Sequence, residues 1–174
     1  MFATEEQGRF VKQEFDIETI LKDNTPLLAR IAATHEATPS LQEDLLQDIS
    51  VAVWRALESF RGEANIRTFI AKIAHNKAVD HVLREKRHND SLNKNADIED
   101  IHGTAMQQRS DIQIDLFSAL HRLSLGHRQV ITMQLEGFNY SEIGGVLGLT
   151  ESTVAKRASR ARQQLEQYLG HSNG

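Results

Sequence analysis

Residues 156–162 of this 174-residue chain hold four basic side chains, Lys156, Arg157, Arg160 and Arg162, and no acid. On a helix at about 100° per residue, Thr153, Lys156, Arg157 and Arg160 share a sector roughly 100° wide, flanked by Ser152 and Ser159. Val154, Ala158, Ala161 and Leu165 fall in a sector about 60° wide on the far side. One face is small and apolar, so it packs. The other is cationic and hydroxylated, the chemistry that meets phosphates and base edges in a major groove. Acids are missing where a phosphate-facing surface must exclude them. A second polar set lies upstream: Asp44, Gln47 and Asp48 fall on one helical face and suit a basic partner. Ordinary acids near a helix N-terminus, favoured by its dipole, give the same pattern. A third set is the glycine-hinged turn 60–65 together with Asn76. An amide and a flexible turn suit bases that have left the stack.

Other chemistry is excluded or unsupported. There is no cysteine, hence no thiol nucleophile, disulfide or Cys-based zinc site. The eight histidines are scattered without a metal-ligand pattern, and each reads as a surface or polar-contact residue. No P-loop or G-x-S-x-G occurs. No catalytic residue, metal or cofactor is expected. No run of eighteen apolar residues and no charged-then-apolar leader occurs, so a chain that does not insert in membranes and stays in the cytoplasm is expected.

The elements that position these residues are helical. The recognition helix, 151–169, has Thr150 as N-cap. It follows a short helix, 140–147, that Gly148 stops. Asn139 and Glu142 form a capping box there, and Phe138 and Ile143 a hydrophobic staple. Gly137 closes the preceding helix, whose apolar face holds Leu123, Val130, Met133 and Leu135. Two helices joined by a three-residue glycine-containing turn match a helix-turn-helix. The glycine pair Gly144-Gly145 should weaken the first of them by roughly 1 kcal/mol per residue relative to alanine. In the first half, Asn24-Thr25-Pro26 predicts a break, with a helix restarting at Pro26 and burying Leu27, Leu28, Ile31 and Ala32. Ser40 and Glu43 predict a capping box for helix 41–59, packed through Leu45, Ile49, Ala52, Val53, Ala56 and Phe60. Ile66, Phe69, Ile70, Ile73, Ala74, Val79, Val82 and Leu83 pattern the helix after the turn.

The net charge of −4 divides into blocks of −6 (1–60), +4 (61–88), −4 (89–115) and +2 (116–174). Local field, more than the total, governs a surface that meets DNA. Asp90, Asp97, Glu99, Asp100 and Asp111, among Asn, Gly, Gln and Ser, mark residues 90–114 as a solvated tether. The expectation is an all-α chain of two small helical domains, 1–89 and 115–174, joined by an acidic flexible linker, 90–114.

Two blocks carry a family resemblance. Leu123, Arg128, Val130, Gly137, Tyr140, Glu142, Ile143, Leu147, Gly148, Thr153, Val154, Arg157, Arg160, Ala161 and Arg162 stand in register with region four of bacterial sigma factors. The likeness is greatest to the extracytoplasmic-function (ECF) class of the sigma-70 family. Ser124, Asn139, Gly144, Ala155 and Ala158 depart from its pattern. Glu43-Asp44-Leu45-Leu46-Gln47-Asp48, Trp54-Arg55-Ala56-Leu57, Phe60-Arg61-Gly62-Glu63, Arg67-Thr68-Phe69-Ile70, Ile73-Ala74-His75-Asn76 and Asp80-His81 resemble region two. The resemblance implies a factor that binds core RNA polymerase and directs it to promoters. Ser152, Thr153, Lys156, Arg157 and Arg160 would then contact the upstream (minus-thirty-five) element. Arg61, Gly62, Glu63, Arg67 and Asn76 would contact the melted downstream (minus-ten) element, and Asp44, Gln47 and Asp48 the polymerase clamp. It also implies an anti-sigma partner. On the residues alone, a conventional helix-turn-helix regulator acting on duplex DNA, or a helical adaptor without DNA, stands as the alternative.

Overall fold

The computed structural model describes residues 16–62, 64–92 and 111–170. Every regular element among them is an α-helix: α1 Ile17–His35, α2 Pro39–Leu57, α3 Ile66–Leu92, α4 Asp111–Arg122, α5 Leu125–Leu135, α6 Tyr140–Leu147 and α7 Glu151–Gly170. The all-α expectation holds. Residues 93–110, most of the expected tether, lie outside the described residues, as does Glu63.

The helices form where apolar stripes recur at helical spacing. Leu27, Leu28 and Ile31 of α1, Leu45, Ile49 and Val53 of α2, and Ile70, Ala71 and Ala74 of α3 are all buried in one core. Each large aliphatic side chain so buried contributes roughly 1.5–3 kcal/mol. That core does not stop at α3. Val130, Met133, Phe138, Ile143, Val146, Val154 and Ala158 of the second half belong to the same cluster. A smaller cluster, Ala119, Leu120, Leu123, Ile131, Ala161 and Leu165, ties α4, α5 and α7 together. The two halves are therefore packed on each other, with α1 and α3 meeting α4, α5 and α6.

Four local expectations are corrected. The break at Pro26 does not occur, and α1 runs through it. Asn24 Nδ2 donates to the Ile20 carbonyl (2.8 Å) and Thr25 Oγ1 to the Leu21 carbonyl (3.0 Å), adding donors on the turn that proline disturbs. Burial of Leu27, Leu28 and Ile31 outweighs the roughly 3 kcal/mol that an interior proline costs. α2 starts earlier than the Ser40–Glu43 box requires: Thr38 is the N-cap, without a side-chain bond, and Pro39 occupies the first turn. A proline there loses no needed hydrogen bond, so it displaces the box. Leu135 and Leu83, assigned to apolar faces, are 60% and 43% exposed because no helix covers those positions. His75, read as a surface or polar-contact residue, is buried with neither ring nitrogen hydrogen-bonded, whereas His35 and His81 are buried polar contacts, bonded to the Ile31 carbonyl and to Glu36.

Candidate nucleic-acid and polymerase interfaces

The helix-turn-helix is assembled by backbone bonds that the sequence signals dictate. Gly137, at φ 85°, ends α5. Its N–H donates to the Gln134 carbonyl (3.0 Å), and the Phe138 N–H reaches back to Met133 (3.1 Å). This pair is the Schellman arrangement, which only a residue at ease with positive φ accepts cheaply. Asn139 Oδ1 accepts from the Glu142 N–H (2.9 Å), and Glu142 Oε2 from the Asn139 N–H (2.8 Å), so the expected capping box forms. Phe138 and Ile143 are both buried beside it, as a staple requires. Gly148, at φ 67°, ends α6. The Leu149 N–H then donates to the Gly144 carbonyl (2.9 Å). This return brings the Leu149 carbonyl within 2.6 Å of where a Cβ on Gly144 would stand. The departure from the family pattern at Gly144 therefore has a structural reason: the turn leaves no room for a methyl there. Gly145 has no such neighbour.

Thr150 caps α7, accepting from the Thr153 N–H (3.3 Å), and its hydroxyl bonds that of Thr153 (2.9 Å). Val154, Ala158, Ala161 and Leu165 are buried, as the helical wheel predicts. Of the proposed reading face, Ser152, Lys156 and Arg160 are exposed, whereas Thr153 and Arg157 are half-buried. Arg157 is turned inward. Its guanidinium lies over Gly126, 3.1 Å from where a Cβ would be.

In the first half, Asp44, Gln47 and Asp48 are all exposed on α2. Among the described residues no cation pairs with either aspartate. The same face continues into Val51 and Trp54, 49% and 43% exposed. An acidic patch thus runs into an apolar one. The period-3.6 pattern contained this continuation, but a helix face shows as uncovered only once its neighbours are placed. The turn before α3 brings Phe60 and Phe69 into contact (ring centres 4.7 Å apart), with Gly62 at φ 76°. Asn65 Oδ1 caps α3 by accepting from the Arg67 N–H (2.9 Å). Arg61 and Gly62 are exposed in the turn. Arg67 instead faces the other half: Nη2 donates to the Glu136 carbonyl (2.6 Å), and its guanidinium stacks over Phe138 at 4.5 Å. Asn76 lies nine residues along α3 from Arg67, about 13 Å. It lines a cleft of about 380 Å³ with Val79, Asp80, Gln129, Val146, Leu147, Leu149 and Arg157. The four downstream-element candidates with described positions thus lie at three separate places, Arg61 and Gly62 in the turn and Arg67 and Asn76 each facing the second half.

Histidines gather behind this surface. His35 and His75 meet edge to face, ring centres 5.5 Å apart. Burial pushes His35 down to about 4, with smaller contributions from Arg128, His121 and His81. Burial, then His35, pushes His75 down to about 3. Both rings are neutral in the folded chain. His81 Nε2 bonds Glu36 Oε2 (2.7 Å). Burial raises the Glu36 carboxyl, but bonds from His81 and the Thr38 N–H outweigh it, and the net shift is downward. No cluster of three metal-ligating side chains exists among the described residues.

Two helical units, one ending in a capped helix-turn-helix and the other exposing an acidic-apolar helix face, define a DNA-binding factor of bipartite build. Residues 20–88 match sigma-70 region 2, and residues 114–165 match sigma-70 region 4. The ECF RNA polymerase sigma factor SigM of Mycobacterium tuberculosis is 30% identical over 148 residues, which is 84% of this chain and 73% of that protein. The ECF RNA polymerase sigma-E factor of Escherichia coli (strain K12) is 27% identical over 71% of each chain. Among solved structures, the sigma factor RpoE in complex with the anti-sigma factor NepR from Bartonella quintana superposes with a TM-score of 0.74 at 27% identity. The match covers 89% of this chain and 97% of that one. The chain belongs to the sigma-70 family, in its ECF class, and is a sigma factor of transcription initiation. Sigma factors are generally non-enzymatic transcription factors. No helix among the described residues is long and apolar enough to cross a membrane.

Proposed function

We infer that α7 reads the upstream promoter element, that the Asp44–Gln47–Asp48 face of α2 docks on core RNA polymerase, and that the 60–65 turn with α3 engages the melted downstream element. The chain then divides into a polymerase-binding and melting unit (1–89), a tether (90–114) and an upstream-reading unit (115–174). It works in the cytoplasm, where the polymerase is, without catalytic chemistry of its own. An anti-sigma protein is an expected partner, since the similar RpoE structure holds one.

The observation that supports this reading best is the split of α7. Ser152, Lys156 and Arg160 are exposed on one side, and Val154, Ala158, Ala161 and Leu165 are buried on the other. An arginine in a major groove can take guanine O6 and N7 together, worth about 1–3 kcal/mol of discrimination. A phosphate-bound lysine strengthens binding to every sequence alike and steepens the salt dependence, so its loss weakens all promoters evenly. Transcription by the holoenzyme on promoters carrying each single upstream substitution separates these roles. Arg157→Ala or Arg160→Ala should change the rank order of the promoters, and Lys156→Ala should lower all of them evenly. If neither arginine variant alters the order, α7 does not read base sequence.

A further inference from the structure

Gly126 is the second residue of α5, and its backbone does not account for it. Gly62, Gly137 and Gly148 have positive φ, whereas Gly126 does not. An alanine would fit its conformation and favour the helix. What a side chain at 126 would meet is α7. A Cβ there would stand 3.1 Å from Nη1 and 3.6 Å from Cζ of Arg157. Beyond its chain neighbours, no other described side chain comes within 4 Å of that point. The Arg157 guanidinium therefore rests on bare backbone.

This seat is internal to the second half of the chain. Gln129, three residues on and so on the same face of α5, lines a cleft with Arg157, Val146, Leu147 and Leu149. Shape holds the arginine there, not bonds. Among the described residues Arg157 makes no hydrogen bond or ion pair. The N-terminal end of α5, where the helix dipole is positive, does not favour a cation beside it. Only the missing side chain makes room. The seat also separates two arginines that helical spacing puts on one face. Arg160 is exposed with Lys156 and Ser152, whereas Arg157 is half-buried. An arginine reads guanine by presenting its planar fork to O6 and N7 together. With Nη1 turned against Gly126, Arg157 cannot present that fork while seated.

We propose that residue 126 is a specificity-determining position of this sigma factor: glycine there withdraws Arg157 from the reading face and leaves base readout to Arg160. Gly126 is a positioning residue that acts through Arg157. A bulkier residue fills the seat, and the atoms it displaces are the far end of a flexible side chain, not backbone. The guanidinium then moves outward, toward the exposed face, and α7 carries two reading arginines. The proposal rests on the upstream-reading role of α7 given above and assigns that role between its arginines.

Transcription by holoenzyme is measured on promoters carrying each single upstream substitution. The proteins are the parent, Arg157→Ala, Arg160→Ala, Gly126→Leu, and Gly126→Leu combined with Arg157→Ala. Leucine is a strong helix former, so it fills the seat without weakening α5. Arg160→Ala should reorder the promoters. Arg157→Ala should lower them together, as loss of a nearby positive charge does. Gly126→Leu should add a preference of about tenfold at one upstream base pair, the scale of one arginine–guanine contact. That preference should vanish in the double variant. A new preference that survives without Arg157 means that leucine distorts α5, and it overturns the proposal. So does a folded Gly126→Leu protein that keeps the parent's promoter order. If Gly126→Leu does not fold by circular dichroism, the single arginine variants decide, and reordering by Arg157→Ala overturns the withdrawal of that side chain. Reordering by Arg160→Ala beside a silent Gly126→Leu sinks the seat and leaves the reading role of α7 standing. If no variant reorders the promoters, the reading role and the proposal fall together.

Discussion

Gly144 and Gly145 are adjacent, identical and both within α6, yet alanine at the two positions should act in opposite directions. An alanine at 145 meets nothing within 4 Å. It removes the flexibility penalty of a helical glycine, so Gly145→Ala should stabilise the fold by about 0.5–1 kcal/mol. An alanine at 144 gains the same helical term but sets its methyl 2.6 Å from the Leu149 carbonyl oxygen. That oxygen is backbone, and the adjacent Leu149 N–H is tied to the Gly144 carbonyl at 2.9 Å, so it cannot swing away alone. Overpacking of this kind costs about 1–3 kcal/mol, leaving Gly144→Ala destabilised by about 1–2 kcal/mol after the helical gain. The variants should thus differ by about 2–3 kcal/mol. At about 2–4 °C per kcal/mol for a chain of this size, their melting temperatures should bracket the parent's. Urea denaturation followed by circular dichroism, with the m-value checked for constancy, measures the difference. Gly144→Ala should also weaken upstream-dependent promoters by shifting α7 against α6, while Gly145→Ala leaves them unchanged. Equal stabilisation by both alanines would refute the argument that the α6–α7 turn needs a bare backbone at 144.

Two further outcomes follow from other parts of the molecule. Asp44→Lys with Asp48→Lys should abolish binding to core polymerase with helical circular dichroism intact, since both side chains are exposed; core affinity within threefold of the parent would count against that assignment. The buried imidazoles set an acid limit on stability. With His35 at about 4 and His75 at about 3 in the folded chain, the unfolded chain, near 6.5, binds the protons first. Their contribution is complete above about pH 6.5 and is lost as pH falls toward 4, at about 1.4 kcal/mol per pH unit for each ring. His75→Phe should flatten the pH dependence of the urea midpoint by one ring's share between pH 6 and 5. An unchanged slope would show that His75 does not take up a proton on unfolding.

What was legible in the sequence was local. The caps at Asn139 and Thr150, the glycine stops at 137 and 148 and the buried stripe Val154–Ala158–Ala161–Leu165 all depend on residues within about one helical turn of each other. Side-chain type and spacing settle such contacts before any packing occurs. The exposed acids of α2 were legible for the same reason. Tertiary structure decided the rest. Pro26 stays inside α1 because the burial flanking it outweighs its local cost. Leu83 and Leu135 are exposed because no helix lies over them. Gly144 proved necessary only once the Leu149 carbonyl was set against it. Arg30 and Glu136, which form an ion pair, stand 106 residues apart. No periodicity links such a pair, because helical spacing specifies which face a residue occupies and not which distant helix that face will meet. Asn76 and Arg157 were found from their chemistry and Arg67 from the family resemblance, but that they are turned toward the opposite half is a property of how the two helical groups pack.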